Sequence, residues 1–196
     1  TERKNEYFLV WTTTPWTIPS NVAMAVNPYL IYASFKNKTS GEILIFLKDL
    51  AVNILVDSTW QKIEEFPGTK LVGLYYEAPF DNLPAVQSAK EENPEKFHIV
   101  FCDKENVNAT EGTGIVHIAP GAGTEDFQMG QRENLPVIAS IDEAANYIAG
   151  FNDLSGQNAK EKPELIFEKI RKIEEGKYLY KIVPYTHRYP VCWRCK

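Results

Sequence analysis

Short hydrophobic runs with the two-residue period of a β-strand cover most of the chain, and turn residues separate them. Asn27-Pro28 and Pro67-Gly68 are two of these breaks. The pattern predicts strands over residues 7–11, 22–26, 30–35, 42–47, 60–66, 70–76, 98–103, 115–119, 137–141 and 178–183. We expect the strands at 98–103 and 115–119 to pair with each other.

Helical periodicity is confined to a few segments. The clearest is residues 160–175, where apolar side chains form a stripe along one face. Residues 48–56 predict a second, short helix, and Thr124 can cap a third. Residues 78–96 contain three prolines and mixed charges, which predict an excursion over the surface.

Many short strands with few helices favour a β-rich α+β fold over a parallel α/β fold. We therefore predict a closed or strongly curved β-barrel with peripheral helices. At 196 residues, the chain is long enough for one large domain or two small ones.

The stretch from Gly112 to Asp126 predicts a binding site at the junction of a strand, a loop and a helix. Pro120 ends the strand because it cannot donate to a ladder, and the glycines that follow allow a close approach of the backbone. His117 on the strand and Asp126 in the first helical turn are expected to point toward this junction. The alternative is a capped helix whose acidic residues only favour the positive end of the helix dipole.

A threonine-rich loop follows the first predicted strand. Thr12, Thr13 and Thr14 supply hydroxyls, while Pro15 and Pro19 fix the path of the backbone. Such a loop can hold a polar ligand. The alternative is an edge loop in which threonine is simply a good strand residue.

Composition excludes several classes of function. The net charge of −5 argues against a general nucleic-acid binder. No segment has the roughly 18 uncharged apolar residues of a membrane span, and no leader precedes the first strand. The three cysteines are too few for a disulfide scaffold, which indicates a reducing compartment and a cytoplasmic location.

Two of the cysteines, Cys192 and Cys195, have the spacing of half a zinc site. A structural zinc normally needs four ligands, so we expect the other pair to lie elsewhere and this half site to be empty. Because the chain begins without methionine at Thr1 and stops one residue after Cys195, we expect it to be a fragment of a longer protein.

Three stretches of the sequence together resemble the motifs of a known protein family. Residues 11–21 are WTTTPWTIPSN, residues 112–127 are GTGIVHIAPGAGTEDF, and residues 189–195 are YPVCWRC. In this order and spacing they resemble the inserted editing domain of the isoleucyl-tRNA synthetase family over almost the whole chain. The valyl and leucyl relatives carry an Arg-Pro-Glu or Arg-Pro-Asp continuation in the threonine loop, whereas this sequence has Thr14-Pro15-Trp16. One departure is Ala122, where many relatives have a larger or polar residue.

The resemblance implies an aminoacyl-tRNA deacylase domain over residues 1–185. Residues 186–196 would then be an exit segment that leads back to the synthetase body with half a zinc site. The implied reaction is hydrolysis of valine wrongly attached to tRNA(Ile), and of valyl-adenylate. No cofactor is implied for the isolated domain, and zinc is possible in the full-length, ATP-binding ligase.

The resemblance also implies roles for individual residues. Asp126 would pair with the substrate's α-ammonium group, and His117 would bound the side-chain space that excludes isoleucine. Asn21 would support the threonine loop. The remaining implied site residues are Thr12, Thr13 and Thr14, which would hold the ester, the terminal adenosine and the attacking water, and Trp11 and Trp16, which would shape the walls.

A Thr–His–Asp nucleophilic triad is rejected, because an internal threonine is a poor nucleophile without a dedicated base. A metal at His117 and Asp126 is also rejected for lack of a third ligand at usable spacing. The implied partners are the 3′ end of tRNA(Ile) and the rest of the synthetase, with no membrane, and we expect a monomer. Alternatives are a free-standing deacylase and a non-catalytic RNA-binding or zinc module.

Overall fold

Seven strands form two sheets in the computed structural model, which describes residues 5–186. In chain order they are β1 (Glu6–Phe8), β2 (Ala23–Val26), β3 (Ile31–Asn37), β4 (Ile43–Leu47), β5 (Trp60–Pro67), β6 (Ile99–Cys102) and β7 (Ile115–Ile118). The first sheet has the order β1-β4-β3-β5, in which β4 pairs parallel with β1 and the other pairs are antiparallel. The second sheet has the order β6-β2-β7.

The central strand of the second sheet explains its order. All four residues of β2 are buried, so both of its edges need hydrogen-bond partners. It pairs parallel with β6 and antiparallel with β7. The expectation that residues 98–103 and 115–119 pair with each other is therefore wrong, because β2 lies between them.

Four α-helices accompany the sheets. They are α1 (Ala51–Ile54), α2 (Pro84–Glu92), α3 (Thr124–Glu133) and α4 (Glu164–Lys172). Short 3-10 helices cover Pro15–Ser20, Lys48–Leu50, Gly68–Lys70, Asn152–Leu154 and Ile173–Gly176. Within the described part of the chain, no helix has both the length and the hydropathy needed to cross a membrane.

The prediction of a closed or strongly curved barrel is wrong, because neither sheet closes on itself or on the other. Within residues 5–186, the outer strands β6 and β7 of the second sheet each form one isolated β-bridge beyond the sheet, Tyr75–Ile99 and Trp11–Val116. The alternation of apolar and polar residues along a strand indicates which face of the strand is buried. It does not indicate which strands pair. Many short strands are therefore equally compatible with a barrel and with two open sheets.

Several smaller expectations also differ from the structure. Residues 70–76 and 137–141 contain isolated bridges and no strand, and residues 178–183 contain no strand. Residues 78–96 are not only a surface excursion, since they contain α2, whose Val86 is buried. A proline at the first position of a helix is tolerated because its missing N–H would have no partner there.

The layers follow from the alternation along β2. Ala23 and Ala25 face a core cluster that includes residues of α2, α3 and α4. Met24 and Val26 face the opposite way, into a second cluster shared with the first sheet. A smaller cluster covers the far face of the first sheet. β2 therefore lies between two cores, and His117 on β7 pairs with Met24.

Candidate functional site

The threonine-rich loop is folded back on itself. Thr12 Oγ1 accepts a hydrogen bond from Thr14 N at 3.1 Å and lies 3.3 Å from Thr14 Oγ1. Pro15 then begins the 3-10 helix, and Thr17 N donates to Thr14 O at 3.0 Å. These hydrogen bonds fix the loop through its own turns.

His117 from β7 is hydrogen-bonded at both ring nitrogens. Nε2 lies 2.7 Å from Thr17 Oγ1, and Nδ1 lies 2.9 Å from Asn21 Nδ2. Burial lowers the pKa of His117 to about 4, so the imidazole is neutral at pH 7. Thr17 also donates to Thr14 O at 2.9 Å, which connects His117 to the threonine-rich loop.

Two residues of this hydrogen-bond network were not found by sequence reasoning. Thr17 lies within the stretch that carries the resemblance, and its spacing of three residues from Thr14 in a turn could have indicated it. Tyr76 donates its hydroxyl to Asn21 Oδ1 at 2.6 Å. It comes from a segment far from Asn21 in sequence, and no local signal pointed to it.

Asp126 lies in the first turn of α3 and reaches back to the end of β7. Its Oδ2 accepts a hydrogen bond from Ala119 N at 2.8 Å. Burial raises the pKa of Asp126 to about 6, although the Ala119 N–H opposes this shift; the nearby Glu125 charge adds to it. A helix dipole alone would favour the charged form. The half-buried carboxylate lacks a compensating cation among the described residues.

Four of the predicted site residues line one cavity of about 590 Å³: Trp11, Thr12, Asn21 and His117. Tyr76, residues of α4 and several of residues 178–185 are also among the residues that line it. Trp11 meets the Tyr185 ring edge-to-face, with 5.0 Å between the centroids. The cavity therefore joins the threonine-rich loop, β7 and the last described residues.

The other predicted residues lie around this cavity and not in its lining. Asp126 contacts the backbone two residues beyond His117. Thr14 is linked to His117 through Thr17, while Thr13 is half-buried in the same loop. Trp16 packs against the helix-side core, and its carbonyl accepts a hydrogen bond from Tyr147 Oη at 2.6 Å.

No metal centre is formed by the described residues, since no three His, Cys, Asp or Glu side chains among them lie close enough together. Cys192, Cys195 and most of the predicted exit segment lie outside residues 5–186. The zinc half site therefore stays a prediction.

The loop between β7 and α3 packs backbone against backbone. A Cβ on Gly121 would lie 2.0 Å from Ile138 O, whereas a Cβ on Gly123 would have nothing within 4 Å. We expect Gly121→Ala to lower the free energy of unfolding by about 3 kcal/mol, because main-chain atoms cannot move aside as a side chain does. Gly123→Ala, the matched control, should change it by less than about 1 kcal/mol. Urea unfolding of both variants tests this, and equal stabilities would contradict the close contact.

The sequence of the chain is similar to that of known proteins over nearly its whole length. No protein-family model matches the chain. The chain is 39% identical over 194 residues, 98% of its length, to the isoleucine–tRNA ligase of Clostridium novyi (strain NT). It is 39% identical over 199 residues, 99% of its length, to the same enzyme of Pyrococcus abyssi, and 34% identical over 98% of its length to that of Saccharolobus solfataricus. It spans only 17–19% of the length of these relatives.

Solved structures share the fold at lower identity. The crystal structure of GlLeuRS-CP1 matches with a TM-score of 0.62 and 15% identity, over 95% of this chain and 87% of that one. The P. falciparum cytosolic leucyl-tRNA synthetase editing domain matches with a TM-score of 0.52 and 14% identity, over 87% of this chain and 70% of that one. These structures share the fold of this chain.

Proposed function

Because the chain belongs to the isoleucine–tRNA ligase family and corresponds to the editing domain of these synthetases, we propose that it hydrolyses valine wrongly attached to tRNA(Ile), and valyl-adenylate. It would do so as part of a longer cytoplasmic synthetase. Valine is one methylene smaller than isoleucine, and a hydrophobic pocket gains only about 1–3 kcal/mol from that group, a limit for which isoleucyl-tRNA synthetase is itself the standard example. A second, hydrolytic pocket that isoleucine cannot enter removes the error.

The observation that carries this proposal is a half-buried carboxylate, Asp126, that has no cationic partner among the described residues and contacts the end of β7, the strand whose neutral, hydrogen-bonded His117 lines the cavity. Asp126 has its pKa raised to about 6, chiefly because burial disfavours the charged form and no cation lies beside it among the described residues. The α-ammonium group of an aminoacyl ester would supply that cation. The pairing would then stabilise the bound substrate with a charge-assisted hydrogen bond.

His117 fits the role of a wall and not that of a general base. Both of its ring nitrogens already have partners, and its pKa is lowered to about 4 by burial. Shape is then what it contributes, because a fixed imidazole limits the space next to the substrate's side chain. Thr12, Thr13 and Thr14 would hold the ester and the terminal adenosine from the adjacent loop.

The proposed reaction is attack of water on the ester carbonyl. The bond between the acyl carbon and the ribose oxygen breaks, the ribose oxygen takes up a proton, and valine and uncharged tRNA(Ile) leave. The neighbouring ribose hydroxyl would assist this attack. No threonine needs to act as a nucleophile.

The direct test is to incubate the 196-residue chain with valyl-tRNA(Ile) and isoleucyl-tRNA(Ile) and to measure amino-acid release against protein-free samples. We expect release of valine well above the spontaneous rate and release of isoleucine close to it. Equal release of both amino acids, or release of neither, would contradict the proposed function.

The rate should depend on the charge of Asp126. Because its pKa is raised to about 6, the free protein holds a proton there in mild acid and cannot pair with an ammonium group. We expect kcat/KM for valyl-tRNA(Ile) to rise with pH, with a midpoint near pH 6, to level off near pH 7, and to fall again where the substrate's α-ammonium group, whose ordinary pKa is about 8, loses its proton. Rates corrected for spontaneous ester hydrolysis measure this dependence. The residual activity of Asp126→Asn should not show this rise near pH 6. If the variant and the wild type both show the rise, it belongs to the titration of another group.

A further inference from the structure

Tyr76 occupies a position that connects the site to a neighbouring cleft. It lines the cavity that contains His117 and also a second cavity of about 860 Å³. Its ring stacks on His98, with 4.7 Å between the centroids and an interplanar angle of 22°. Tyr76 N donates to His98 O at 3.1 Å. The phenol is therefore held in place by the segment that leads into β6.

The phenol and a backbone carbonyl fix the amide of Asn21 from both ends. Tyr76 Oη donates to Asn21 Oδ1 at 2.6 Å. Asn21 Nδ2 donates to Ala23 O at 3.0 Å, and this carbonyl can only accept. Turning the amide over would place two oxygens against each other at Ala23 and is therefore unfavourable.

The fixed amide determines which nitrogen of His117 carries the proton. Asn21 Nδ2 also lies 2.9 Å from His117 Nδ1, closer than the 3.5 Å to Ile118 O. Because an amide nitrogen can only donate, the Nδ1 that faces it must be the unprotonated acceptor. The proton then lies on Nε2, which donates to Thr17 Oγ1 at 2.7 Å. The Thr17 hydroxyl in turn donates a hydrogen bond to Thr14 O at 2.9 Å. Donation therefore runs in one direction from Tyr76 to the threonine-rich loop.

We propose that Tyr76 is a positioning residue for His117, which it holds, through Asn21, as the neutral Nε2–H tautomer in a single orientation. The tautomer is set by the hydrogen bonds alone, while the role of the fixed ring as a pocket wall rests on the proposed function. Removing the phenol hydroxyl leaves Asn21 Oδ1 buried without that donor, and an unsatisfied buried acceptor is costly. The amide then has less to lose by turning over, and His117 gains access to the Nδ1–H form.

The tautomer can be read directly by NMR of the 15N-labelled chain, since protonated and unprotonated ring nitrogens have well-separated shifts. The signals of His117 are those that disappear in His117→Ala. We expect the wild type to have the proton on Nε2 and to keep this pattern from pH 8 to pH 5. Tyr76→Phe should show a substantial population with Nδ1 protonated, a three- to tenfold lower kcat/KM for valyl-tRNA(Ile) and weaker rejection of isoleucine.

A second variant reverses the donor instead of removing it. Asn21→Asp keeps the shape of the side chain and an acceptor for Tyr76, but it offers His117 Nδ1 an oxygen where the amide offered a hydrogen. His117 should then carry its proton on Nδ1. If Tyr76→Phe is not folded under the conditions of the NMR experiment, Asn21→Asp provides the test.

The matched control is Tyr32→Phe, which removes a buried hydroxyl bonded to Gly114 O at the same 2.6 Å distance but not connected to Asn21. It should lower stability without changing the tautomer. An Nδ1–H form in the wild type, or an unchanged Nε2–H form in both Tyr76→Phe and Asn21→Asp, would overturn the proposal. If the tautomer shifts as expected but the wild-type chain releases no valine, the proposed function fails and the control of His117 by Tyr76 stands.

Discussion

Replacing Asp126 by asparagine should reduce kcat/KM for hydrolysis of valyl-tRNA(Ile) by roughly thirtyfold to several thousandfold. Losing one partner of a desolvated, hydrogen-bonded charge pair costs on the order of 2–5 kcal/mol, and each 1.4 kcal/mol corresponds to a factor of ten. Asparagine keeps the shape and can still accept from Ala119 N, so the loss isolates the charge. Steady-state deacylation assays on wild type and variant measure the effect.

The same substitution should stabilise the chain in the absence of substrate. The pKa of Asp126 is about 6 in the folded protein, above the ordinary value of 3.8, so the folded state binds the proton more tightly than the unfolded state. Stability therefore falls as the pH rises from about 4 to about 6, and the full cost, on the order of 1–3 kcal/mol, remains at neutral pH. Asparagine lacks this cost. In urea unfolding, the free energy of unfolding of Asp126→Asn should therefore exceed that of the wild type by the full amount at pH 7.5 and by about half of it at pH 5.

A neighbouring acid provides the matched control. Glu125 lies in the same first turn of α3 but is exposed. If both acids served only the helix dipole, Glu125→Gln and Asp126→Asn would each lower stability by about 0.3–1 kcal/mol and leave hydrolysis nearly normal. That outcome for Asp126→Asn would reject its role as an anchor for the substrate ammonium.

Replacing His117 by alanine should allow the chain to hydrolyse correctly charged isoleucyl-tRNA(Ile). In the proposed function, isoleucine is excluded by denying space to one methylene, which corresponds to about a 10- to 200-fold preference, and removing the ring would open that space. We expect the ratio of the rates for valine and isoleucine to fall by about tenfold or more. Valine hydrolysis should also fall, because Thr17 and Asn21 lose their partner.

A control for His117 separates volume from chemistry. His117→Gln keeps most of the volume and a polar amide, so it should continue to reject isoleucine if the wall acts through shape. Competition between the two charged tRNAs in one reaction gives the ratio directly. If His117→Ala still ignores isoleucyl-tRNA(Ile) and clears valine at the wild-type rate, His117 is not the wall.

The sequence predicted best what is decided by neighbouring residues. Strand β7, the proline that ends it and the start of α3 with Asp126 in its first turn all follow local rules, and the structure has them within a residue or two of their expected positions. Thr124 itself is not the cap: Gly123 holds that position and has no side chain to donate or accept. The resemblance to the editing domain of isoleucyl-tRNA synthetases is confirmed by the comparisons.

What the sequence could not predict depends on which segments meet in space. Periodicity predicted a strand over residues 22–26 but not that β2 would take β6 and β7 on its two sides. In the same way, Tyr76 looked like one more strand residue until its hydroxyl was found on Asn21. Closure of a barrel is also a property of pairing, which is why the many short strands led to the wrong architecture.

The pairing of β2 has a consequence for the order in which the molecule assembles. Strands β3, β4 and β5 follow one another closely and can form their sheet from contacts between near neighbours in the chain. β2 must wait for β6 and β7, which begin 76 and 92 residues after Ala23, and long loops raise the entropic cost of closure. Asn21 and Thr17 precede β2, and His117 lies on β7. The candidate site thus depends on segments that are far apart in the chain, and a nascent chain cannot form it until residue 117 has left the ribosome.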